Sequence, residues 1–267
     1  MLTKRLIACF DIIGDRVTKA VQFEDNIDVA SADALAKTLY EEQIDELIFY
    51  DITASAQKRN INIETVKKVA RCVLIPFTVG GGIKDLDGMY EALKAGAEKI
   101  SIDSFAVRNP DIISTGAKAF GSQCIVLSTQ VKKVPSMPSG YEVYIDGAKT
   151  ATGLDALEWI KRGESLGAGE ICINSIDKDG TLSGYDLELM KMAEKIVSVP
   201  LIASGGAGKP EHLKELFSTT ETQSAIISSM LYSPRMEQNY KVSELKDYLI
   251  RNSINVRPTR TRKGPKL

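Results

Sequence analysis

One pattern constrains this chain more than any other. Short β-branched apolar runs alternate with longer amphipathic stretches, and the two halves of the alternation match each other at a single offset. The apolar runs fall at 5–12, 46–51, 77–80, 99–103, 124–129, 170–174, 201–204 and 223–228. They are apolar nearly throughout, as strands covered on both faces are. Between them the spacing predicts helices over 31–43, 62–72, 86–95, 110–120, 154–166, 186–197, 210–217 and 242–251. Asn62 reads as a cap, and Asn109-Pro110-Asp111 as a cap, a proline and a first-turn acid. IPFTVGGG at 75–82 returns as VPLIASGG at 199–206, ELIF at 46–49 as EICI at 170–173, and KISIDS at 99–104 as QSAIIS at 223–228. All three pairs lie 124 residues apart. A shared hydrophobic pattern would explain the apolar letters but not the placed proline, glycines and glutamate. The expectation is an α/β fold, a closed (β/α)8 TIM barrel built from two repeated half-barrels. It occupies 1–253 as a single domain, with halves of about 1–121 and 122–253, followed by a basic, flexible tail at 254–267.

Length agrees, since 267 residues suit one such barrel. The 34 basic and 35 acidic residues leave no basic excess, which argues against nucleic acid as a partner. No apolar run reaches the ~18 residues of a membrane span. The opening MLTKRLIACFDII reads as a buried first strand and not a leader, because Asp11 follows the apolar letters at once. Cys9, Cys72, Cys124 and Cys172 stand far apart, three of them in apolar runs, so neither a disulfide framework nor a zinc site is expected. A reducing cytoplasm fits. The single histidine, His212, follows Lys209-Pro210-Glu211 and reads as an exposed helix residue. It rules out a histidine metal cluster and leaves proton transfer to carboxylates. No metal and no cofactor are expected. The irregular stretch 131–153 contains Asp146-Gly147, a hairpin signal after the fifth strand.

Barrels of this kind carry their sites where strands end. Asp11 ends the first strand and Asp51 the second. Gly80-Gly81-Gly82 end the third, Asp103-Ser104 the fourth and Gln130 the fifth. Ser175, then Asp177, Asp179 and Gly180, follow the sixth. Ser204-Gly205-Gly206 end the seventh and Ser228-Ser229 the eighth. A phosphate needs converging backbone N–H groups, and glycine lets the chain approach closely. The repeated glycine turns therefore predict two phosphate cradles on opposite sides of the mouth, with Ser104 and Ser228 or Ser229 as hydroxyl donors. Asp11 reads as a general acid or base, because an unpaired charge ending an apolar strand is expensive. The repeat puts its partner at Gln130, which can orient but cannot exchange a proton at neutral pH. Arg5, Glu46, Lys99 and Glu170 begin strands and read first as a stabilising ring of ion pairs.

The runs KRLIACFDI, DELIFYDITAS, FTVGGGIKD, FGSQ, GAGEI, SIDKDGTLSGYD and IASGGAGKPEH resemble the HisF family, the cyclase subunits of imidazole glycerol phosphate synthase, over about 1–257. The resemblance implies a heterodimer in which a glutaminase subunit docks on the strand-start face and sends ammonia through the barrel core. Ammonia and a bisphosphorylated ribulosyl formimino-carboxamide ribonucleotide then give imidazole glycerol phosphate and aminoimidazole carboxamide ribonucleotide. It implies catalytic positions at Asp11 and Gln130. One phosphate site would comprise Gly81, Gly82, Asp103 and Ser104, and the other Gly180, Gly205, Gly206, Ser228 and Ser229. Substrate contacts would come from Lys19, Asp51, Asn174, Asp179 and Ser204, and an ammonia gate from Arg5, Glu46, Lys99 and Glu170. The chain departs from the family pattern at Gln130, where an aspartate is usual, at Asp103 and Ser104, where asparagine and threonine are, and in the first loop, which lacks Gly-Asp-Pro. Two alternatives follow from those departures. One is a paralogue that uses the same ammonia delivery to make an amidine on a surface sugar. The other is a weakly catalytic barrel that docks and supports a glutaminase.

Overall fold

The computed structural model describes residues 2–21, 24–54, 57, 59–234 and 236–260. In chain order these form β1 (Arg5–Ile13), β2 (Arg16–Val21), β3 (Glu24–Ser31), α1 (Ala32–Glu41), β4 (Glu46–Asp51), α2 (Ile63–Ala70), β5 (Phe77–Gly80), α3 (Leu86–Lys94), β6 (Lys99–Ile102), α4 (Ser104–Arg108) and α5 (Asp111–Phe120). A 3-10 turn, Ser122–Cys124, leads into β7 (Ile125–Lys133). Then come β8 (Tyr141–Ile145), β9 (Thr150–Asp155), α6 (Ala156–Ser165), β10 (Glu170–Ser175), α7 (Leu187–Ala193), β11 (Leu201–Ser204), α8 (Pro210–Thr219), β12 (Ser224–Ile226), α9 (Ser228–Tyr232) and α10 (Val242–Arg251).

Parallel pairing runs β1-β4-β5-β6-β7-β10-β11-β12 and returns from β12 to β1, so the barrel is closed. Strand alternation sorts its side chains into two sets. Outward-facing residues such as Leu6, Leu47, Phe49 and Ile100 join the helices in the large core. Inward-facing Ile7, Ile48, Val126, Cys172, Ile202 and Ile226 fill the lumen, with Cys9 and Tyr50 packed against them. Asn62 Oδ1 accepts from Thr65 N–H at the start of α2, and Asp85 Oδ1 accepts from Gly88 N–H at the start of α3, whereas the expected Asn109 cap is not formed and Pro110 precedes α5 with no side-chain cap.

Two antiparallel excursions rise from the mouth. β8 and β9 are the hairpin that Asp146-Gly147 signalled, with both turn residues at positive φ. β2 and β3 form a second ribbon that pairs with the end of β1. Sequence periodicity read that stretch only as a loop.

His212 corrects an expectation. It is 8% exposed, not a surface residue, and its Nδ1 accepts from Gly208 N–H at 3.2 Å. The reason is the face it occupies: His212, Leu213, Leu216 and Phe217 all turn inward from α8. The cysteine expectation holds for Cys172, which is buried, while Cys9 and Cys124 are half-buried; all four thiols are free. Beyond α10 the chain passes under the barrel. Lys4 N–H donates to Asn255 O, Val256 is 3% exposed, and Gln43 brackets the Arg260 backbone. The rest of the expected tail, 261–267, lies outside the described residues. No helix among the described residues is long and apolar enough to cross a membrane.

Candidate active site

At the C-terminal ends of the strands a cavity of about 690 Å³ opens. It gathers Asp11, Lys19, Gln130, Asn174, Asp179, Gly180, Ser204, Gly205, Gly206, Ser228 and Ser229. Those residues come from β1, β2, β7, β10 and the β10–α7 loop, β11 and the turn after it, and the start of α9, so closure of the barrel is what brings them together.

Burial pushes the Asp11 pKa up; Lys19 opposes the rise and Asp179 adds to it. Asp179 is likewise raised by burial, with Lys19 and the Gly180 N–H working the other way. A carboxyl so raised holds a proton closer to neutral pH, which suits proton exchange. On the far side, Gln130 Oε1 accepts from Asn174 Nδ2–H at 2.8 Å, and its Nε2–H donates to Asp103 Oδ2 at 3.4 Å. Burial raises Asp103 to about 7, although the Gln130 hydrogen bond pulls it down.

The glycine turn after β11 lies on the cavity wall. Gly205 and Gly206 have φ of 92° and 99°, and a Cβ on Gly206 would collide with Gly184 O. Only glycine lets the backbone approach the cavity there. Ser229 lines the same wall. Ser228 is already engaged: its Oγ accepts from Cys9 N–H at 2.7 Å and donates to Cys9 O at 2.8 Å. It thereby continues the β12–β1 ladder past Ile226, where strand pairing stops.

Asp51, Gly81, Gly82 and Ser104 do not line this cavity, and Asp103 meets its wall through the hydrogen bond from Gln130. Asp51 is 1% exposed and turned outward; Arg59 reaches both of its oxygens at 2.6 and 2.8 Å. Gly81 packs on the Asp51 backbone, and Gly82 on Ala54 and the Arg59 carbonyl. Ser104 Oγ accepts from Asp146 N–H at 3.0 Å. The first glycine turn packs closely against the β4–α2 loop.

Sequence reasoning missed Cys9, Tyr50, Ser128 and Cys172, which also line the cavity. A signal was present. Cys9, Ser128 and Cys172 each stand two residues before a strand-end candidate and so face the same way. Tyr50 spans the lumen: its hydroxyl meets Ser101 Oγ at 3.0 Å and Ser128 Oγ at 3.3 Å, and its ring lies over Gly80.

At the opposite end, Arg5 bonds Glu46 at 2.5 Å and also Glu170, while Lys99 bonds them at 2.7 and 2.8 Å. The four side chains form a closed alternating ring across the base of the lumen. Burial works to lower the Arg5 and Lys99 pKa values, but the two carboxylates outweigh it and both rise. No group of three or more His, Cys, Asp or Glu among the described residues could hold a metal ion.

Comparison with known proteins gives a consistent result. The sequence model of the family described as "Histidine biosynthesis protein" matches residues 5–237. A Syntrophobacter fumaroxidans protein named imidazole glycerol phosphate synthase subunit HisF is 50% identical over 262 residues, covering 97% of this chain and 100% of the relative. Proteins of the same name from Desulfatibacillum aliphaticivorans and Nitratidesulfovibrio vulgaris are 48% identical over 260 residues and 51% identical over 235 residues. They cover 96% and 87% of this chain, and 98% and 91% of the relatives.

Proposed function

From the premise that the chain belongs to the histidine biosynthesis protein family, alongside its HisF members, we propose that it is the ammonia-dependent cyclase subunit of an imidazole glycerol phosphate synthase. It takes ammonia from a glutaminase partner in the cytoplasm. With the bisphosphorylated ribulosyl formimino-carboxamide ribonucleotide it forms imidazole glycerol phosphate and aminoimidazole carboxamide ribonucleotide.

The observation that carries the reading is the joining, in one cavity, of a raised-pKa carboxyl at Asp11, the cation of Lys19 and the glycine cradle at Gly205-Gly206. Together they can exchange a proton beside a held phosphate. Asp11 handles protons at the reacting carbons. Lys19 and Asp179 flank it, and Gly180, Gly206 and Ser229 receive one phosphate. Asn174, Ser204 and Gln130 orient the sugar, and Ser228 fixes the wall behind it. The wall near Gly81, Gly82, Asp103 and Ser104 takes the second phosphate end, with Asp51 holding the loop beneath it in shape.

The base of the barrel supports the ammonia half of the reading. The Arg5, Glu46, Lys99 and Glu170 ring is charged and closed, so a small molecule entering there has to part an ion pair. Leu2 and Leu74 are 85% and 88% exposed and precede strands β1 and β5, so they lie at that end. Exposed leucines beside a charged ring suit a docking face for the glutaminase subunit.

The test supplies the ribulosyl substrate with saturating ammonium salt and no glutaminase, and follows the imidazole product. Turnover well above background is expected. Protein that binds the substrate and yields no product would refute the cyclase assignment and favour a barrel that only supports its partner.

A further inference from the structure

Closing an imidazole from a ketone and ammonia needs one group to take a proton and another to give one. Asp11 on β1 is one such group. The barrel order sets β7 four strands away from β1, the greatest separation in an eight-stranded ring. Its inward residue at the mouth is Gln130, an amide that cannot exchange protons. Asp179 lines the cavity too, but it shares Lys19 with Asp11 and so belongs to Asp11's side.

The neighbouring strand supplies what β7 lacks. On β6, Lys99 enters the basal ring and Ser101 meets Tyr50 in the lumen. Asp103 follows directly after β6, at the N-cap of α4. It is half-buried, and its Oδ2 accepts from Gln130 Nε2–H. Asn174 donates to the other end of the Gln130 amide, which fixes the amide with its N–H toward Asp103. The carboxylate therefore stands beside the amide, just past the end of β6, and the amide sits on β7 across the barrel from Asp11.

We propose that Asp103 is the second proton-transfer group of this site and that Gln130 is its positioning residue. The inference rests on the cyclase reading above. In the addition step the ammonia nitrogen bonds to the ketone carbon. The carbonyl π pair moves to oxygen, which takes the proton held on Asp103, and the surplus proton on nitrogen passes to the Asp11 carboxylate. One proton is given and one taken, so the pair ends with its protons exchanged. Three groups face Asp103 and set when it holds its proton: Arg108 on α4, Asp146 in the β8–β9 turn, which pairs with Arg108, and Cys172 on β10. Burial keeps that proton available near pH 7.

The test compares wild type, Asp103→Asn, and the exchanged pair Asp103→Asn with Gln130→Asp, each turning over the ribulosyl substrate with ammonium salt across pH 5.5–9. Asp103→Asn is expected to lower kcat by about 10²–10⁴-fold and to remove the limb of the wild-type pH profile in which activity falls as Asp103 deprotonates. The exchanged pair, which returns a carboxyl to the same pocket, is expected to recover at least about tenfold of that loss. Asp103→Asn with wild-type kcat and pH profile would overturn the proposal while leaving the cyclase reading standing. A deficit that the exchanged pair leaves unrestored would overturn the proton-transfer role. Absence of turnover in the wild type itself would overturn both.

Discussion

Replacing Gln130 alone by aspartate sets two carboxyls beside each other, and the structure fixes the scale of the effect. In the native protein Gln130 Nε2 lies 3.4 Å from Asp103 Oδ2. Aspartate is one methylene shorter, so the two carboxylates would stand roughly 4–5 Å apart and repel by about 4 kcal/mol at an effective dielectric of about 20. The variant escapes that repulsion by keeping one proton on the pair. The folded state then holds a proton that the unfolded chain releases at ordinary carboxylate pH. Stability is therefore full in acid and is lost as pH rises through the pair's folded range. Urea unfolding of Gln130→Asp at pH 6 is expected to match wild type within about 1 kcal/mol, and at pH 9 to fall short by up to about 4 kcal/mol. Asp103→Asn on the same background removes the charge pair and abolishes the extra loss at pH 9. Equal deficits at pH 6 and pH 9 would refute the reasoning, because a packing defect is indifferent to pH. So would the absence of a deficit at pH 9, which would mean that the two side chains are not neighbours.

Three further substitutions test other parts of the architecture. Lys246 is fully buried, and its Nζ donates to Asp45 Oδ1 at 2.6 Å and to Gln43 O at 2.7 Å. Lys246→Met strands the Asp45 carboxylate and is expected to cost about 3–5 kcal/mol in denaturant unfolding; a loss below about 1 kcal/mol would refute the pairing. Gly206→Ala drives a methyl group into Gly184 O at a positive φ, so the phosphate turn must shift. A KM raised at least about tenfold is expected, with the far-ultraviolet circular dichroism unchanged; an unaltered KM would remove Gly206 from the cradle. Lys99→Met leaves Glu46 and Glu170 to Arg5 alone. Its glutamine-supported rate with the partner subunit is expected to change relative to the ammonium-supported rate, and a constant ratio would dismiss the ring as a gate.

The barrel was legible because its causes are periodic. Apolar strands, helix caps and the repeated IPFTVGGG and VPLIASGG turns each leave a mark in the letters. Asp146-Gly147 marked its hairpin because few residue pairs accept two positive φ values. The ribbon of β2 and β3 left none. Its apolar letters are scattered, with Val17 and Val29 packed on the core and Ile27 exposed, and β2 is held by pairing against β1. Asp51 shows a different limit. Position along a strand was readable, but direction needed the alternation: Glu46, Ile48 and Tyr50 look inward, so Asp51 looks out to Arg59. The same parity turns Asp11 and Gln130 inward, and Asp103, just past the end of β6, meets Gln130. His212 was misjudged because its helix packs an inward face against the Gly184 turn, a tertiary contact that no local spacing encodes.

The filled lumen has a consequence for transport. Between the charged ring and the mouth stand Ile7, Ile48, Val126, Cys172, Ile202 and Ile226, and then Tyr50 bridging Ser101 and Ser128. This is no pipe. A molecule moving along the axis advances only as buried side chains swing aside one tier after another, more slowly than the picosecond-to-nanosecond flips of exposed side chains. Turnover at a typical ~1–10³ per second leaves ample time for that. The aliphatic tier also sorts by charge state. An ammonium ion would shed its hydration for hydrocarbon, whereas neutral ammonia gives up little and finds hydroxyls waiting above. Under the proposed function the barrel interior would act as a valve for protonation state, passing ammonia and holding back ammonium.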